Sequence, residues 1–344
     1  MVGTGLRLMT ADDLDDVGRL DAAAFGAWWR GLKGRTAVLP RRTRKNLLAC
    51  RERDPDGCFV AEQRGRAVGY IFSRTWGGVG WLGPVGVLPR FQGRGAGKVL
   101  LRGSVDYLRG AGARVIGLET MPRVPSNVGF YLSQGFGADL PTLLLARQWP
   151  SDGETGERAA SISSLRLGRW SQADAATRAR WLDELKEATG LIMPGLDYSP
   201  EVLATARHGL AETLVLTASG PVDPAAGRGA GLAPGRAVGL AVVALEGARE
   251  GTRDAPAALI ALALHPQGAD AADFRLLLGA AEDFARGQGK PGLGVSVNAR
   301  HAWALRQLLD WGYHVERLTL RMVLAGTSAA PASDQCVDLS RWAG

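Results

Sequence analysis

Two tandem α/β domains are the fold class predicted by this sequence, and three observations predict it. The chain has 344 residues, 46% of them hydrophobic, with a mean hydropathy of -0.03. That is ordinary soluble composition, with room for about two domains. A polar stretch rich in Ser, Gly and Glu, residues 150–164 (PSDGETGERAASISS), separates two segments. The strand and helix patterns before it recur in the same order after it, at a period too long for a solenoid. The expected division is therefore 1–149, a linker at 150–164, and 165–344.

The first segment opens with a short strand, Leu6–Met9. Thr10-Ala-Asp-Asp then reads as a capping-box start for an amphipathic helix through Phe25. Residues 30–53 carry nine Lys/Arg and one acid, Glu52, and are expected to hold a second helix. Cys58–Glu62 and Ala67–Thr75 read as a hairpin about Gln63-Arg-Gly-Arg66. Val79–Val87 follows the turn at Trp76-Gly-Gly. A glycine-rich turn then feeds a helix over Gly95–Gly110. Val115–Thr120 is a buried strand, Ser126–Gln134 a short helix and Pro141–Trp149 a last strand.

The second segment repeats that order. Its strands are expected at Leu165–Leu167, Thr213–Ala218, Arg236–Leu245, Ala257–Leu264, Leu293–Val297 and Arg317–Leu324. Its helices are expected at Ala173–Thr189, Pro200–His208, Ala271–Gly287 and Ala302–Trp311. A long Gly/Pro/Ala loop precedes the third strand.

Composition excludes several function classes. Residues 1–150 hold 22 basic and 12 acidic side chains, a net of +10, whereas the remainder holds 19 and 22, a net of -3. Neither a uniform nucleic-acid coat nor an acidic disordered protein is built that way. The pI of 9.7 stands without any recognition-helix motif, so no nucleic-acid partner is expected. All four histidines lie beyond residue 200, which removes histidine chemistry from the first segment. Cys50, Cys58 and Cys336 form no C-x-x-C pair, so neither a disulfide scaffold nor a metal site is expected. The N-terminus lacks the apolar stretch of a signal peptide, and no apolar run approaches the roughly 20 residues of a membrane span. A cytoplasmic location follows as the expectation, with no membrane contact. Monomer and homodimer both stay open.

The stretch that carries chemistry is Val87-Leu-Pro-Arg-Phe-Gln92-Gly93-Arg94-Gly95-Ala96-Gly97-Lys98. A strand ends, a turn with three glycines follows, and a helix begins at once. Glycines let backbone N–H groups approach an anion, and a helix N-terminus adds unpaired donors and partial positive charge. Arg94 and Lys98 add full charges. On physical grounds this is a pyrophosphate cradle. The dinucleotide G-x-G-x-x-G pattern would sit after a first strand, and a P-loop would place Ser or Thr after the lysine, where Val99 stands.

Gln92-Gly-Arg-Gly95-Ala-Gly97 resembles the Q/R-x-x-G-x-G/A loop of the GNAT acetyltransferase superfamily. Asn127-Val-Gly-Phe-Tyr131-Leu-Ser-Gln-Gly135-Phe136 is similar to that family's N-x-x-[FY]-Y-x-x-x-G-F. Both motifs occur in order, and the resemblance covers roughly residues 5–149. It implies a mixed, mostly antiparallel sheet flanked by helices in each domain. It implies acetyl-CoA or another acyl-CoA as donor, a primary amine of a small molecule or peptide as acceptor, and direct attack. It further implies that the backbone from Gln92 to Lys98 holds the pyrophosphate. Val85 and Val87 pair with the pantetheine arm at a splay whose bulge is expected at Gly83-Pro84. Asn127 lies near that arm, and Tyr131 protonates the departing thiolate.

The general base is harder to find. Val79–Val87 contains no acid, where the family often has one. Glu119 is the nearest carboxylate, sharing a face with Val115 and Gly117. Its plainer role is a salt bridge to an arginine such as Arg123. Tyr70 is a second polar candidate, and its plainer role is an amphipathic sheet residue. This gap also leaves an alternative to an enzyme, a non-catalytic acyl-CoA sensor.

The second segment reads as a degenerate copy. Aligning His265-Pro266 with Leu88-Pro89 puts Ala269 at Gln92, Ala272 at Gly95 and Phe274 at Gly97. Asp270 and Asp273 sit in or beside the turn, where they would repel a diphosphate. Leu308 falls at the Tyr131 position. The copy is expected to keep the fold and lose the cofactor. In the first segment, Trp28, Trp29 and the basic stretch from Arg30 to Arg53 are expected near the acceptor mouth, either attracting anions or forming a solvated face.

Overall fold

The computed structural model describes residues 4–150, 165–218, 233–265, 270–327 and 337–340. The expected linker at 150–164 lies, apart from Pro150, outside the described residues, as do Pro266, Ala269, Cys336 and most of the Gly/Pro/Ala loop. Ten elements build the first half: β1 (Gly5–Leu8), α1 (Leu14–Lys33), α2 (Arg44–Arg53), β2 (Phe59–Gln63), β3 (Arg66–Trp76), β4 (Val79–Val87), α3 (Ala96–Gly110), β5 (Val115–Thr120), α4 (Pro125–Ser133) and β6 (Phe136–Gln148). The second half repeats the order: β7 (Leu165–Arg169), α5 (Ala175–Ile192), α6 (Ser199–Arg207), β8 (Ala211–Ala218), β9 (Ala237–Ala244), β10 (Ala257–Leu264), α7 (Ala271–Gly287), β11 (Gly292–Asn298), α8 (Ala302–Asp310) and β12 (His314–Leu324). One extra strand, β13 (Val337–Ser340), follows.

Local chemistry explains the first elements. Thr10 N–H and Oγ1 both donate to Asp13 Oδ2, at 2.7 and 2.9 Å, closing the expected capping box. Arg7 grips the same carboxylate with two nitrogens, each at 2.7 Å. That contact holds the Asp13 carboxyl down at about 2, against its burial. The helix runs past Phe25 to Lys33 because nothing in Gly26–Lys33 breaks it, and it stops at Gly34, where φ is +105°. The β2–β3 turn places Arg64 and Gly65 at φ of 50° and 71°, the left-handed pair of a tight two-residue hairpin.

The two halves do not close separate sheets. Their strands form one sheet in the order β1-β2-β3-β4-β5-β12-β6-β11-β10-β9-β8-β7, with β13 attached to β10. Only β4–β5 and β10–β11 pair in parallel among the described strands. The last strand of each half has crossed over. β12 from the second half pairs with β5 through Arg321↔Glu119, and β6 from the first pairs with β11 through Val295↔Leu145. The two exchanged strands then pair with each other over most of their length, from His314↔Ala146 to Leu324↔Phe136. Antiparallel strands of this length satisfy their backbone groups only with a neighbour on each side, and the exchange supplies both.

Packing follows the same logic. One cluster lies under α3 and includes Leu100, Ile116, Phe136 and Met322, so β12 from the second half is part of the first half's core. A second lies under α1 and α2 around Leu14, Val60 and Phe72. A third straddles the halves, joining Trp76, Trp81 and Val115 to Trp170, Trp181 and Leu196. No helix among the described residues is long and apolar enough to cross a membrane.

This architecture predicts that residues 1–150 expressed alone will lack a cooperative thermal transition, because β5 loses its neighbour and β6 gains none. Size-exclusion chromatography and calorimetric melting check it. A monomeric fragment melting as the full chain does would show the exchange to be dispensable.

Candidate functional site

The site begins with a divergence of two strands. β4 and β5 pair only from Val79↔Val115 to Leu82↔Leu118. Beyond Leu82 they part. Against β3 the register passes from Ile71↔Val85 to Ser73↔Leu82, so β4 carries one extra residue at Gly83-Pro84. Gly83 has φ of +126°, a conformation glycine tolerates without a Cβ clash. Leu88 N–H bonds Val68 O at 2.9 Å on the β3 side. By strand alternation the N–H groups of Val85 and Val87 then point the other way, into the gap. Their side chains pack against the α3 cluster, which leaves the backbone edge as the polar wall.

The cradle lies at the end of that gap. Gly93 and Gly95 have φ of +72° and +90°, and a Cβ on either would meet open space, so room for an anion exists on this side. Ala96, Gly97 and Lys98 open α3, so their N–H groups have no intrahelical acceptor. Arg94 and Lys98 are exposed and make no ion pair among the described residues. Two motif residues serve the loop itself. Gln92 donates from Nε2 to Val87 O at 3.0 Å, tying the turn to the strand end. At Gly97 a Cβ would sit 3.4 Å from Phe130, an ordinary contact, so this position faces α4.

α4 brings up the other wall. Asn127 sits half-buried in its first turn, its N–H bonded to Val124 O at 2.9 Å. Tyr131 is buried between Phe130 and Phe136, with ring centroids 5.1 and 6.2 Å away. Its hydroxyl makes no hydrogen bond to another described residue. Burial pushes its phenol well above the ordinary value, so the group stays protonated.

Glu119 has a different setting from a free base. It ends β5 with its side chain 2% exposed and pairs with Arg321 at 3.1 Å, not with Arg123. Thr142 Oγ1 donates to Oε1 at 2.6 Å and Thr319 Oγ1 to Oε2 at 2.8 Å. Asn298 Nδ2 in turn lies 3.2 Å from Thr142 Oγ1. The carboxylate thus knots β5, β12, β6 and β11. Both carboxylate oxygens are thus engaged by neighbours on other strands, so the geometry fits holding better than proton transfer.

On the opposite face lies a cluster the sequence only touched. Tyr70 is fully buried over Gly86 and donates to Asp21 Oδ1 at 2.5 Å. Arg42 Nε approaches the same oxygen at 3.1 Å. Arg249, from the second half, reaches Asp21 Oδ2 at 2.6 Å, outside hydrogen-bond geometry, so the contact is ionic. Backbone bonds Thr43 N–H to Ala248 O (2.9 Å) and Glu250 N–H to Arg41 O (2.9 Å) seat the second half on the α1–α2 connection. Arg249 carried no sequence signal, because its role depends on which loop it meets. The basic stretch is largely consumed in such contacts: Arg44 with Asp15, Arg53 with Asp54 and Glu201, and Lys45 with Gly209 O. Trp28 and Trp29 are half-buried, 6.1 Å apart.

Beside the cradle, an open cleft of about 1680 Å³ runs between α1, the β2–β3 turn and residues 88–94. Arg64, Arg66, Arg90 and Arg94 stand on its walls, with Arg7 and Arg19 already paired to Asp13 and Asp16. It borders the loop through Gly93 and Arg94 but includes neither Tyr131 nor β5, so it is not the gap itself.

Comparison with known proteins bears on the family and the fold. The model of the acetyltransferase (GNAT) family matches residues 25–136. An uncharacterized N-acetyltransferase of Archaeoglobus fulgidus is 32% identical over 109 residues, which is 30% of this chain and 71% of that protein. The chain belongs to the GNAT family. A mycothiol acetyltransferase of Amycolatopsis mediterranei is 31% identical over 144 residues, 39% of this chain, which spans only 46% of that relative's length. A tandem GNAT protein from the clavulanic acid biosynthesis pathway superimposes with a TM-score of 0.57 at 15% identity, covering 96% of this chain and 99% of that one. At that identity the likeness concerns the fold, and it extends to both halves of this GNAT protein.

Glu119→Gln should cost stability before anything else, about 3–5 kcal/mol for removing one charge of a buried ion pair. Denaturant titration measures the loss. An unchanged midpoint together with a lost acid limb in the rate–pH profile would return Glu119 to the role of base.

Proposed function

We propose that this GNAT protein transfers an acetyl group from acetyl-CoA to a primary amine of a small molecule or peptide by direct attack. The single observation that carries the reading is the gap between β4 and β5 running into the helix start of α3, with Tyr131 in the same core cluster as Val85 and Val87. β4 turns the N–H groups of Val85 and Val87 away from β3. The open helix start at Ala96–Lys98 lies at the end of the gap. The Tyr131 phenol, on α4, makes no hydrogen bond to another described residue. A thioester with a pantetheine arm and a diphosphate fits that combination: amides along a strand edge, donors and charge for the phosphates, and an acid for the sulfur.

The roles divide accordingly. Val85 and Val87 pair with the arm. The backbone of Gly93, Arg94, Gly95, Ala96, Gly97 and Lys98 receives the pyrophosphate, and Gln92 shapes the turn. Asn127 flanks the arm. The amine nitrogen forms the C–N bond as the C–S bond breaks, and the CoA thiolate takes the Tyr131 proton. The proton shed by the new amide returns to the phenol through solvent. Glu119 holds the sheet beneath. Binding without turnover is the second reading, favoured by that engagement of Glu119.

Calorimetry with acetyl-CoA should find one site per chain, and none in Gly95→Asp, which adds bulk and charge at φ of +90°. Unchanged binding by that variant, or two sites in the parent chain, would refute the cradle assignment.

Tyr131→Phe should lower kcat by about 10²-fold or more while donor affinity stays within a factor of about two. Burial raises the phenol, so the donor is present at neutral pH and is lost only as pH rises past the ordinary value of about 10. Thiol release across a panel of amines, aminoglycosides, amino acids and peptides provides the assay. Equal turnover by the two proteins removes Tyr131 as the acid; no turnover with any amine favours the sensor.

A further inference from the structure

The second half contains a counterpart of the gap between β4 and β5, and it is filled. β10 and β11 pair in parallel only at Ala257↔Leu293 and Ala258↔Gly294, then part as β4 and β5 do. His265 N–H bonds Val238 O at 2.7 Å, as Leu88 N–H bonds Val68 O at 2.9 Å. By alternation, the backbone groups of Leu262 and Leu264 face the gap. Into it runs β13, antiparallel to β10, with Leu264↔Val337, Ala263↔Asp338, Leu262↔Leu339 and Ala261↔Ser340.

The fit extends to side chains. Val337 and Leu339 are completely buried and join the core cluster that holds Phe274, Leu277 and Leu278. Phe274 aligns with Gly97 and packs on Trp311 and Trp303, with ring centroids 4.9 and 6.0 Å away. Asp338 is 3% exposed, yet its Oδ1 accepts from Tyr198 Oη at 2.7 Å and from Ser340 Oγ at 2.8 Å. Asp270 Oδ1 accepts from Asp273 N–H at 2.8 Å and so caps α7 from within. The helix start that would receive phosphate is thereby closed by a carboxylate.

We propose that the gap between β10 and β11 is a strand-binding groove for an extended peptide, and that residues 337–340 of this chain are its resident ligand. The equivalence with the first gap rests on the acyl-CoA reading given above; the groove itself does not. Strand pairing supplies affinity, as in β-strand addition. Two apolar pockets, for Val337 and Leu339, alternate with a polar one, where the Tyr198 hydroxyl selects an acid. A diphosphate ester satisfies none of these, because Asp270 already caps the helix start. The ligand class has changed from a pantetheine arm to a peptide with the pattern apolar–acidic–apolar–small.

Two measurements test this. In the intact protein, hydrogen exchange should protect the amides of 337–340 as strongly as those of β9; exchange at the rate of an unpaired segment would overturn the proposal. A chain ending at residue 332 should bind a synthetic peptide of residues 333–344 carrying Cys336→Ser with 1:1 stoichiometry, whereas the full chain binds none. The same peptide with Asp338→Lys should bind at least about tenfold more weakly. Equal binding of both peptides, or no binding to a folded shortened chain, sinks the groove. If the shortened chain does not fold, the exchange measurement decides alone. Acetyl-CoA titrated into the full chain reports on the first gap separately, so a failure there leaves the peptide groove standing.

Discussion

Much of the molecule depends on the pairing of β12 with β6, and on the polar knot that sits beside it. Glu119, Arg321, Thr319, Thr142 and Asn298 come from four adjacent strands, two contributed by each half. A buried carboxylate is costly unless its partners are all in place. The exchanged register supplies them: Arg321 pairs opposite Glu119, and Thr319 opposite Thr142. A slip by one residue would turn Arg321 and Thr319 to the other face of the sheet. Specificity of register, more than net stability, is what such a knot provides.

The exchange turns two copies of a fold into one body, and the copies then diverge in what their gaps accept. Both gaps have the same origin, a short parallel pairing followed by separation. One is bordered by two left-handed glycines, an open helix start and the exposed Arg94 and Lys98; the other by Asp270 at its helix start and a strand of the chain itself. The uneven charge split of the sequence has a corresponding division of labour. Much of the positive charge in Arg30–Arg53 is taken up by contacts with carbonyls and carboxylates, two of them, Gly209 O and Glu201, in the second half. Among the described residues Arg94 and Lys98, beside the cradle, make no ion pair, and Arg64, Arg66 and Arg90 line the adjoining cleft.

The second half also reaches the opposite side of the first. Arg249 and Arg42 converge on Asp21, which in turn holds the Tyr70 hydroxyl over Gly86 of β4. Burial pushes the Tyr70 phenol well above its ordinary value, and the neighbouring Asp21 adds to that, so this is a neutral donor pinning a charged cluster. Through it the α1–α2 connection is fixed relative to the strand that lines the gap. The second half therefore acts on the first through geometry.

The sequence by itself determined the elements of both halves other than β13, their order twice over, and the glycine turn that opens α3. Those features are local: periodicity, capping residues, left-handed glycines and a strand–turn–helix spacing are written in neighbouring residues. The acid at the second helix start was legible for the same reason, since Asp270 stands at the turn itself and caps α7, whereas Phe274 lies within α7 and faces the core. Only the tertiary structure decided that β6 and β12 change places, that Glu119 answers to Arg321 some two hundred residues away, and that Val337–Ser340 fills the second gap. Strand partners are chosen by long-range pairing among strands of similar apolar pattern, and no local signal distinguishes a strand that returns to its own sheet from one that crosses to its neighbour's.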